Sequence, residues 1–187
     1  MHVVIPFEQC VARPAYDGRP AQLLSDHLLR VAEQWSDLGV LCHSDEIAVA
    51  KTKERLLFLG GLLHDAGKAR ASWQKYISST SKDKRGQVYH SPVGAALFFY
   101  VSHAFLYRCV EVGSITQKVA RSGELCVLRI GITLDIAGHH GELKDAQDDP
   151  PWEPGFFNDH LDEMDLLGLF EFLESHVGAG DLGITPD

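Results

Sequence analysis

The sequence lacks several features that would place it in a specialised class of protein. Its 187 residues include only four cysteines, Cys10, Cys42, Cys109 and Cys126, and these form no CxxC pair. That scatter argues against a zinc knuckle or a disulfide framework and is typical of reduced thiols in a cytoplasmic protein. No apolar run reaches the length of a membrane span, and the N-terminus has no basic region followed by an apolar core. We therefore expect neither a membrane protein nor a signal peptide.

Positive charge is also scarce. Lysine and arginine number 17 against 26 aspartates and glutamates, which gives a formal net charge of −9. This balance argues against a surface that holds a nucleic-acid backbone by charge alone. It does not exclude a nuclease, because bound divalent cations would make such a site locally positive.

Strand patterns are nearly absent, and what remains is helical periodicity. We expect one all-α domain over residues 1–187, folded as a helical bundle, with an extended lead-in at 1–20 and a flexible tail at 177–187. A short strand near residues 3–5 is the one β element expected. The spacing of apolar residues predicts helices at 22–38, 46–63, 70–76, 93–110, 125–137 and 156–176.

The stretch His64-Asp65-Ala66-Gly67-Lys68 ends an apolar helical run. A buried charge is costly unless it is paired or bound to a metal, and adjacent imidazole and carboxylate groups suit a cation that takes nitrogen and oxygen ligands. The alternative is an ordinary helix C-terminus, with the histidine and the lysine near the negative end of the helix dipole. The stretch by itself leaves both interpretations open.

Further histidines lie near the starts or ends of other predicted helices, at His27, His90, His139 and His140. Each one alone is explained as a core histidine bonded to a backbone carbonyl. Together with the His-Asp pair they predict a shared metal site at the centre of the bundle, for one or two divalent ions. Mixed ligands of this kind suit manganese, nickel, cobalt or iron, with magnesium possible. A single carboxylate among several imidazoles suggests two ions bridged by Asp65.

Two weaker features lie beside these histidines. Asp135 precedes His139 by four residues, so it lies on the same helix face and could fix the tautomer of that imidazole. An ordinary polar position is the alternative. Lys82, Lys84 and Arg85 form a basic cluster in a polar stretch, where a solvated loop is the simpler interpretation and a contact with a substrate phosphate is the other.

The order H…HD…H…HH in a helical chain resembles the HD metal-dependent phosphohydrolase superfamily. Within that superfamily, residues 64–68, the HS-x-x-GA pattern at 90–95 and the AGHHG stretch at 137–141 resemble the HD nuclease of type I CRISPR interference. The likeness covers residues 22–141. The HDxGK pattern is common across the superfamily, whereas the other two elements in this order are more specific.

The resemblance implies a role for each matching residue. Asp65 and Lys68 would be catalytic, with Asp65 bridging two ions and Lys68 contacting a substrate phosphate; Ser91 would lie beside the substrate. The implied metal ligands are His27, His64, Asp65, His90, His139 and His140. The family also has a late metal-binding aspartate, for which Asp159, Asp162, Asp165 and Asp181 are available here, none of them in a recognisable context.

The resemblance further implies single-stranded DNA as the substrate, exposed by a guide-RNA surveillance complex. A superfamily 2 helicase, fused or separate, would be a partner; where it is fused, this chain would be the N-terminal part of a longer helicase-nuclease. No membrane partner is expected.

Two other functions remain open. One is an HD phosphohydrolase that acts on a nucleotide or a cyclic dinucleotide. The cyclic-dinucleotide enzymes continue with HHE and then GYP, whereas here His140 is followed by Gly141-Glu142-Leu143. The other is an inactive, metal-bound module that docks a helicase or a surveillance complex, which the acidic charge and the unplaced aspartate favour.

Overall fold

The computed structural model describes residues 4–39, 44, 46–79, 90–139 and 154–177. Helices account for most of this part of the chain, and the all-α prediction is confirmed. The helices are α1 (Leu24–Leu38), α2 (Ile47–Leu63), α3 (Ala71–Ser78), α4 (Ser91–Glu111), α5 (Gln117–Ala120), α6 (Gly123–Gly138), α7 (Pro154–Leu161) and α8 (Leu166–Val177). Two 3₁₀ helices, Phe7–Gln9 and Ala66–Ala69, and two short strands, β1 (Val11–Arg13) and β2 (Gln22–Leu23), complete the described elements.

The predicted bounds of α1, α2, α3, α4 and α6 each agree with the structure to within two residues. These helices have the clearest apolar spacing, and α4 gains a proline in its first turn, where a missing backbone N–H costs nothing. The ends of α2, α4 and α6 matter most, because the histidines of the expected metal site follow or begin them.

The prediction of one helix over 156–176 is wrong. The chain forms α7 and α8 instead, with a break at residues 162–165. Asp165 Oδ1 accepts a hydrogen bond from the backbone N–H of Gly168 at 3.0 Å, and its Oδ2 accepts one from that of Phe7 at 3.0 Å. The carboxylate therefore caps the start of α8 and ties the break to the N-terminal segment.

The expected strand near residues 3–5 is reduced to one isolated bridge between Ile5 and Met164. The antiparallel pair β1–β2, which the sequence analysis missed, lies at residues 11–13 and 22–23. Strands this short have too few residues to show an alternating pattern, so their pairing depends on what they pack against.

The core of the bundle is built around α2, which packs against α1 on one side and against α4 and α6 on the other. Gly61 lies so close to the backbone of Ala32 that a Cβ at this position would overlap it. The backbones of α1 and α2 can therefore approach closely, which brings α1 beside the C-terminal end of α2. The centre is apolar and fully buried, and it includes Leu28, Leu59, Phe98, Val101 and Ile136.

By length and composition α4 is apolar enough to cross a membrane, which the sequence analysis did not expect. Of its most apolar window, 56% is buried inside the protein. The core helix of a soluble protein passes the same test, so this helix alone is weak evidence for a membrane span.

Candidate metal centre

The site is centred on Asp65, which lies between the end of α2 and the 3₁₀ helix Ala66–Ala69. The backbone leaves α-helical geometry at this residue, with φ of −114° and ψ of 11°. Its side chain is 3% exposed, so the carboxylate points into the protein. Imidazoles from four separate positions in the chain surround it.

The two carboxylate oxygens face different histidines. Oδ2 of Asp65 lies 2.9 Å from Nε2 of His27 and 3.3 Å from Nε2 of His64. Oδ1 lies 3.0 Å from Nε2 of His90 and 3.1 Å from Nε2 of His139. His27, His64 and Asp65 offer three ligand atoms within 4.8 Å of one another, and so do Asp65, His90 and His139. Asp65 therefore belongs to two potential metal groups. The convergence is as the sequence analysis expected, while metal ligation by these residues stays a prediction.

Two close backbone contacts bring His90 into the site. A Cβ on Gly94 would lie 2.7 Å from the carbonyl oxygen of His64, and a Cβ on Gly67 would overlap the carbonyl oxygen of His90. The first turn of α4 therefore lies directly against the end of α2 and the following 3₁₀ helix. Only residues without a side chain allow this approach.

Backbone carbonyls fix the orientation of two of the imidazoles. Nδ1 of His64 lies 2.8 Å from the carbonyl oxygen of Gly61, and Nδ1 of His139 lies 2.6 Å from that of Ile136. Because a carbonyl oxygen only accepts, Nδ1 carries the proton in both rings. In the neutral tautomer each Nε2 then presents a lone pair to the carboxylate of Asp65.

This arrangement fits a bound cation. A lone pair that faces a carboxylate oxygen is repelled by it unless a proton or a metal ion lies between them. The nitrogen–oxygen separations, 2.9 to 3.3 Å, are close to the roughly 3 Å expected for two ligands that share one ion with bonds near 2.1 Å. The donor set of imidazole and carboxylate suits manganese, iron, cobalt or nickel.

The electrostatics of the site keep Asp65 ionised. Burial would raise the pKa of this carboxyl. Where no metal is bound and a proton lies between each Nε2 and the carboxylate, hydrogen bonds with the four surrounding histidines outweigh burial and hold the pKa of Asp65 far below the usual range. Nζ of Lys68 also lies 2.6 Å from Oδ2. Burial lowers the pKa of His90, so that its imidazole favours the neutral form that can bind a metal.

The role predicted for Asp135 is filled by another group. Asp135 is exposed on α6, and the carbonyl of Ile136 is what Nδ1 of His139 contacts. The prediction of a carboxylate that fixes this tautomer is therefore wrong. Ser91 is 7% exposed in the first turn of α4, next to His90, and its contact with substrate stays a prediction.

Some predicted residues lie outside the described part of the chain, namely His140, Asp181, Lys82, Lys84 and Arg85. Among the described candidates for the late aspartate, Asp159 and Asp162 are exposed, and Asp165 caps α8. Within the described residues, Asp65 is the only carboxylate in either potential metal group.

Two tryptophans, which the sequence pattern did not single out, contact the histidines of the site. The ring centroid of Trp35 lies 6.2 Å from that of His64, and the centroid of Trp73 lies 5.6 Å from that of His90. Both tryptophans fall on the apolar face of their helix, which predicts only that they are buried. No pattern in the sequence distinguishes a core tryptophan from one that packs against a ligand.

Comparison with known proteins gives one match. No curated protein and no solved structure matches the chain. The model of the HD domain family matches residues 24–148, well over half of the chain, and this range holds the carboxylate and all four imidazoles of the site. HD domains bind divalent metals and use them to hydrolyse phosphate esters. The chain therefore belongs to the HD domain family of metal-dependent phosphohydrolases.

Proposed function

We propose that this chain is a metal-dependent nuclease that cleaves single-stranded DNA, as the HD nuclease of type I CRISPR interference does. One observation supports hydrolysis of a phosphodiester most directly: the two oxygens of Asp65 face two different groups of imidazoles. A shared carboxylate suits two ions about 3.5–4 Å apart, a spacing that stabilises both the attacking and the leaving oxygen of a phosphodiester.

In this proposal the residues around Asp65 bind metal ions and contact the substrate phosphate. His27 and His64 would hold one ion, His90 and His139 would hold the other, and Asp65 belongs to both groups. When bound, the ions would lower the pKa of water and balance the negative charge of the phosphate. Lys68 lies at the same carboxylate, where its ammonium can donate to a phosphate oxygen as charge develops on it.

The acidic composition bears on the form of the DNA. With a net charge of −9, the chain has little sequence-independent grip on a duplex, so we expect a single strand to enter the site as a flexible substrate. Lys82, Lys84 and Arg85 are the nearest basic cluster in the sequence and would contact its backbone.

The proposal includes a superfamily 2 helicase and a guide-RNA surveillance complex as partners. Val127, Ile130 and Leu134 are more than half exposed on one side of α6. Exposed apolar side chains at helical spacing fit contact with another protein. Copurification of this chain with a superfamily 2 helicase supplied as a separate polypeptide would support the proposed contact. Loss of that copurification in the Ile130→Asp variant would locate the contact on α6.

A second candidate is hydrolysis of a small nucleotide. The net charge of −9 favours it, because a mononucleotide needs no extended basic surface. Metal binding without turnover would instead indicate a docking module.

A turnover assay with manganese separates these functions. Single-stranded DNA, duplex DNA, mononucleotides and cyclic dinucleotides are each incubated with the chain and, as a control, with the Asp65→Asn variant. We expect cleavage of single-stranded DNA by the unmodified chain alone. Hydrolysis of nucleotides without any action on DNA would favour the second candidate, and no turnover by the metal-loaded chain would favour the docking module.

A further inference from the structure

We propose that Trp73 is a positioning residue of the metal centre, which orients the ammonium of Lys68 and the imidazole of His90 together. The inference rests on the phosphate chemistry of the HD family and is independent of whether the substrate is DNA or a nucleotide.

Trp73 lies in the first turn of α3 and is 7% exposed. Its ring meets that of His90 at 76°, with the centroids 5.6 Å apart. This T-shaped contact is a favoured geometry for two aromatic rings, and it restricts how far the imidazole can rotate. Trp73 thereby holds His90 in the orientation that faces Oδ1 of Asp65.

Trp73 also contacts the lysine of the site. Nζ of Lys68 lies 5.3 Å from the centroid of the indole ring, within the range of a cation–π interaction. The side chain of Lys68 is 12% exposed, and such an interaction is strongest when the cation is withdrawn from water. One indole therefore touches a potential metal ligand and the cation expected to meet the phosphate.

The backbone around Lys68 is fixed by the residue that follows Trp73. Nε2 of Gln74 donates to the carbonyl of Lys68 at 2.7 Å and to the carbonyl of Val11 at 2.9 Å, while its Oε1 accepts from the N–H of Val11 at 3.0 Å. Since the backbone is held in this way, the freedom that remains belongs to the long side chain of Lys68. That side chain lies between two partners, the carboxylate of Asp65 and the indole.

The two partners differ once the site is loaded. Oδ2 of Asp65 lies against His27, His64 and Lys68, so the ammonium would lose this partner to a divalent ion held at the same oxygen. Two positive charges at one oxygen also repel each other. The indole face is uncharged, and it keeps the ammonium at the edge of the site, where a phosphate oxygen can accept its hydrogen bond.

The affinity of the manganese-loaded chain for inorganic phosphate, measured by calorimetry, tests this role in a double-mutant cycle. Trp73→Leu and Lys68→Met should each weaken phosphate binding by about tenfold, the scale of one cation–π contact or one charged partner. The double variant should lose clearly less affinity than the two single losses combined, because most of the effect of Trp73 passes through Lys68 and only the part that passes through His90 remains. Trp73→Phe retains an aromatic face and should recover most of the affinity. Additive effects, or an unchanged affinity in Trp73→Leu, would overturn the proposal.

Trp35 supplies the matched control, since it contacts His64, which belongs to the potential metal group that does not include His90. Any effect of Trp35→Leu on phosphate affinity should be the same with and without Lys68→Met. Thermal unfolding and manganese content establish that each variant is folded and loaded.

If the Trp73→Leu variant does not fold, a substitution that preserves the shape of the indole ring tests the same contact. In a chain that carries Trp35→Phe and Trp152→Phe, Trp73 is the one remaining tryptophan and can be replaced by fluorinated tryptophan. Fluorine withdraws electron density from the ring face and weakens its attraction for a cation, so phosphate affinity should fall severalfold. Unchanged affinity would show that the indole only fills space.

These readouts also separate this inference from the proposed nuclease activity. A chain that shows the coupling but cleaves no DNA would contradict the nuclease proposal alone. A chain that cleaves DNA without the coupling would contradict the role of Trp73 alone.

Discussion

Nε2 of His139 lies 3.1 Å from Oδ1 of Asp65, although the two residues are 74 positions apart in the sequence. The contact joins the end of α6 to the end of α2, while His90 reaches the same oxygen from the start of α4. The potential metal group of Asp65, His90 and His139 therefore forms only when these helices pack together.

Replacing Asp65 with asparagine should abolish binding of both ions and all hydrolysis. Asparagine has nearly the same shape, so the change removes the charge that two ions would share and leaves the packing in place. Elemental analysis of manganese after dialysis measures the effect, with circular dichroism to check the fold. Asp135→Asn, which changes an exposed carboxylate on α6, is the control and should keep its metal. Two retained ions in Asp65→Asn would contradict the bridging role.

His27→Ala and His90→Ala should each remove one ion and leave the other. His27 faces Oδ2 and His90 faces Oδ1 of Asp65, and they belong to different groups. Losing one of three protein ligands in a group should weaken that ion by at least tenfold, and calorimetric titration with manganese resolves the two sites. Loss of both ions in either variant would show that the two groups do not bind their ions independently.

Asp165→Ala should destabilise the fold without changing the metal content. The carboxylate accepts hydrogen bonds from the backbone N–H groups of Phe7 and Gly168, and loss of a helix cap costs about 1–2 kcal/mol. Urea unfolding measures the first effect and elemental analysis the second. Asp162→Ala, at an exposed position, serves as the comparison and should change neither quantity. An ion lost from Asp165→Ala would identify this residue as the late aspartate of the family.

Gly94→Ala should damage both stability and metal binding. Its Cβ would lie 2.7 Å from the carbonyl oxygens of Leu63 and His64, so α4 must shift away from α2 and carry His90 with it. Overpacking of this kind costs about 1–3 kcal/mol. At Gly131, within α6, a Cβ meets nothing within 4 Å, and Gly131→Ala should stabilise the protein by about 0.5–1 kcal/mol. Equal effects of the two variants would show that α2 and α4 do not need this close contact.

Cys10 should resist alkylation in the folded protein, whereas Cys126 should react. Burial, aided by the negative charges of Asp165 and Glu8, raises the pKa of the Cys10 thiol from 9.0 to about 12, while Cys126 is exposed. The Cys10 thiol has a higher pKa in the folded protein than in the unfolded chain. Its contribution to the free energy of unfolding is therefore complete below pH 9 and is lost as the pH rises toward 12. Mass spectrometry after iodoacetamide treatment at pH 8 measures the labelling. Rapid modification of Cys10 would show that the segment packed on Ala69 opens readily.

The sequence alone determined the helical class and the residues around which the site is built. Long apolar helices such as α2 and α4 reveal their bounds because their spacing repeats over several turns. The imidazoles and the carboxylate were identifiable because such groups are costly at the ends of apolar helices unless they bind something. Residue type and local spacing are sufficient for both inferences.

Tertiary contacts decided the remaining features. The apolar stripe runs on through residues 162–165, and the break there depends on a hydrogen bond between Asp165 and Phe7, which are 158 positions apart. The partner of Nδ1 in His139 is a backbone carbonyl, which every residue possesses and no pattern can single out. Trp73 has the spacing of a core residue, and only the tertiary structure brings its ring into contact with both Lys68 and His90. A sequence pattern records which face of a helix is apolar, but the neighbour that covers that face is set by the fold as a whole.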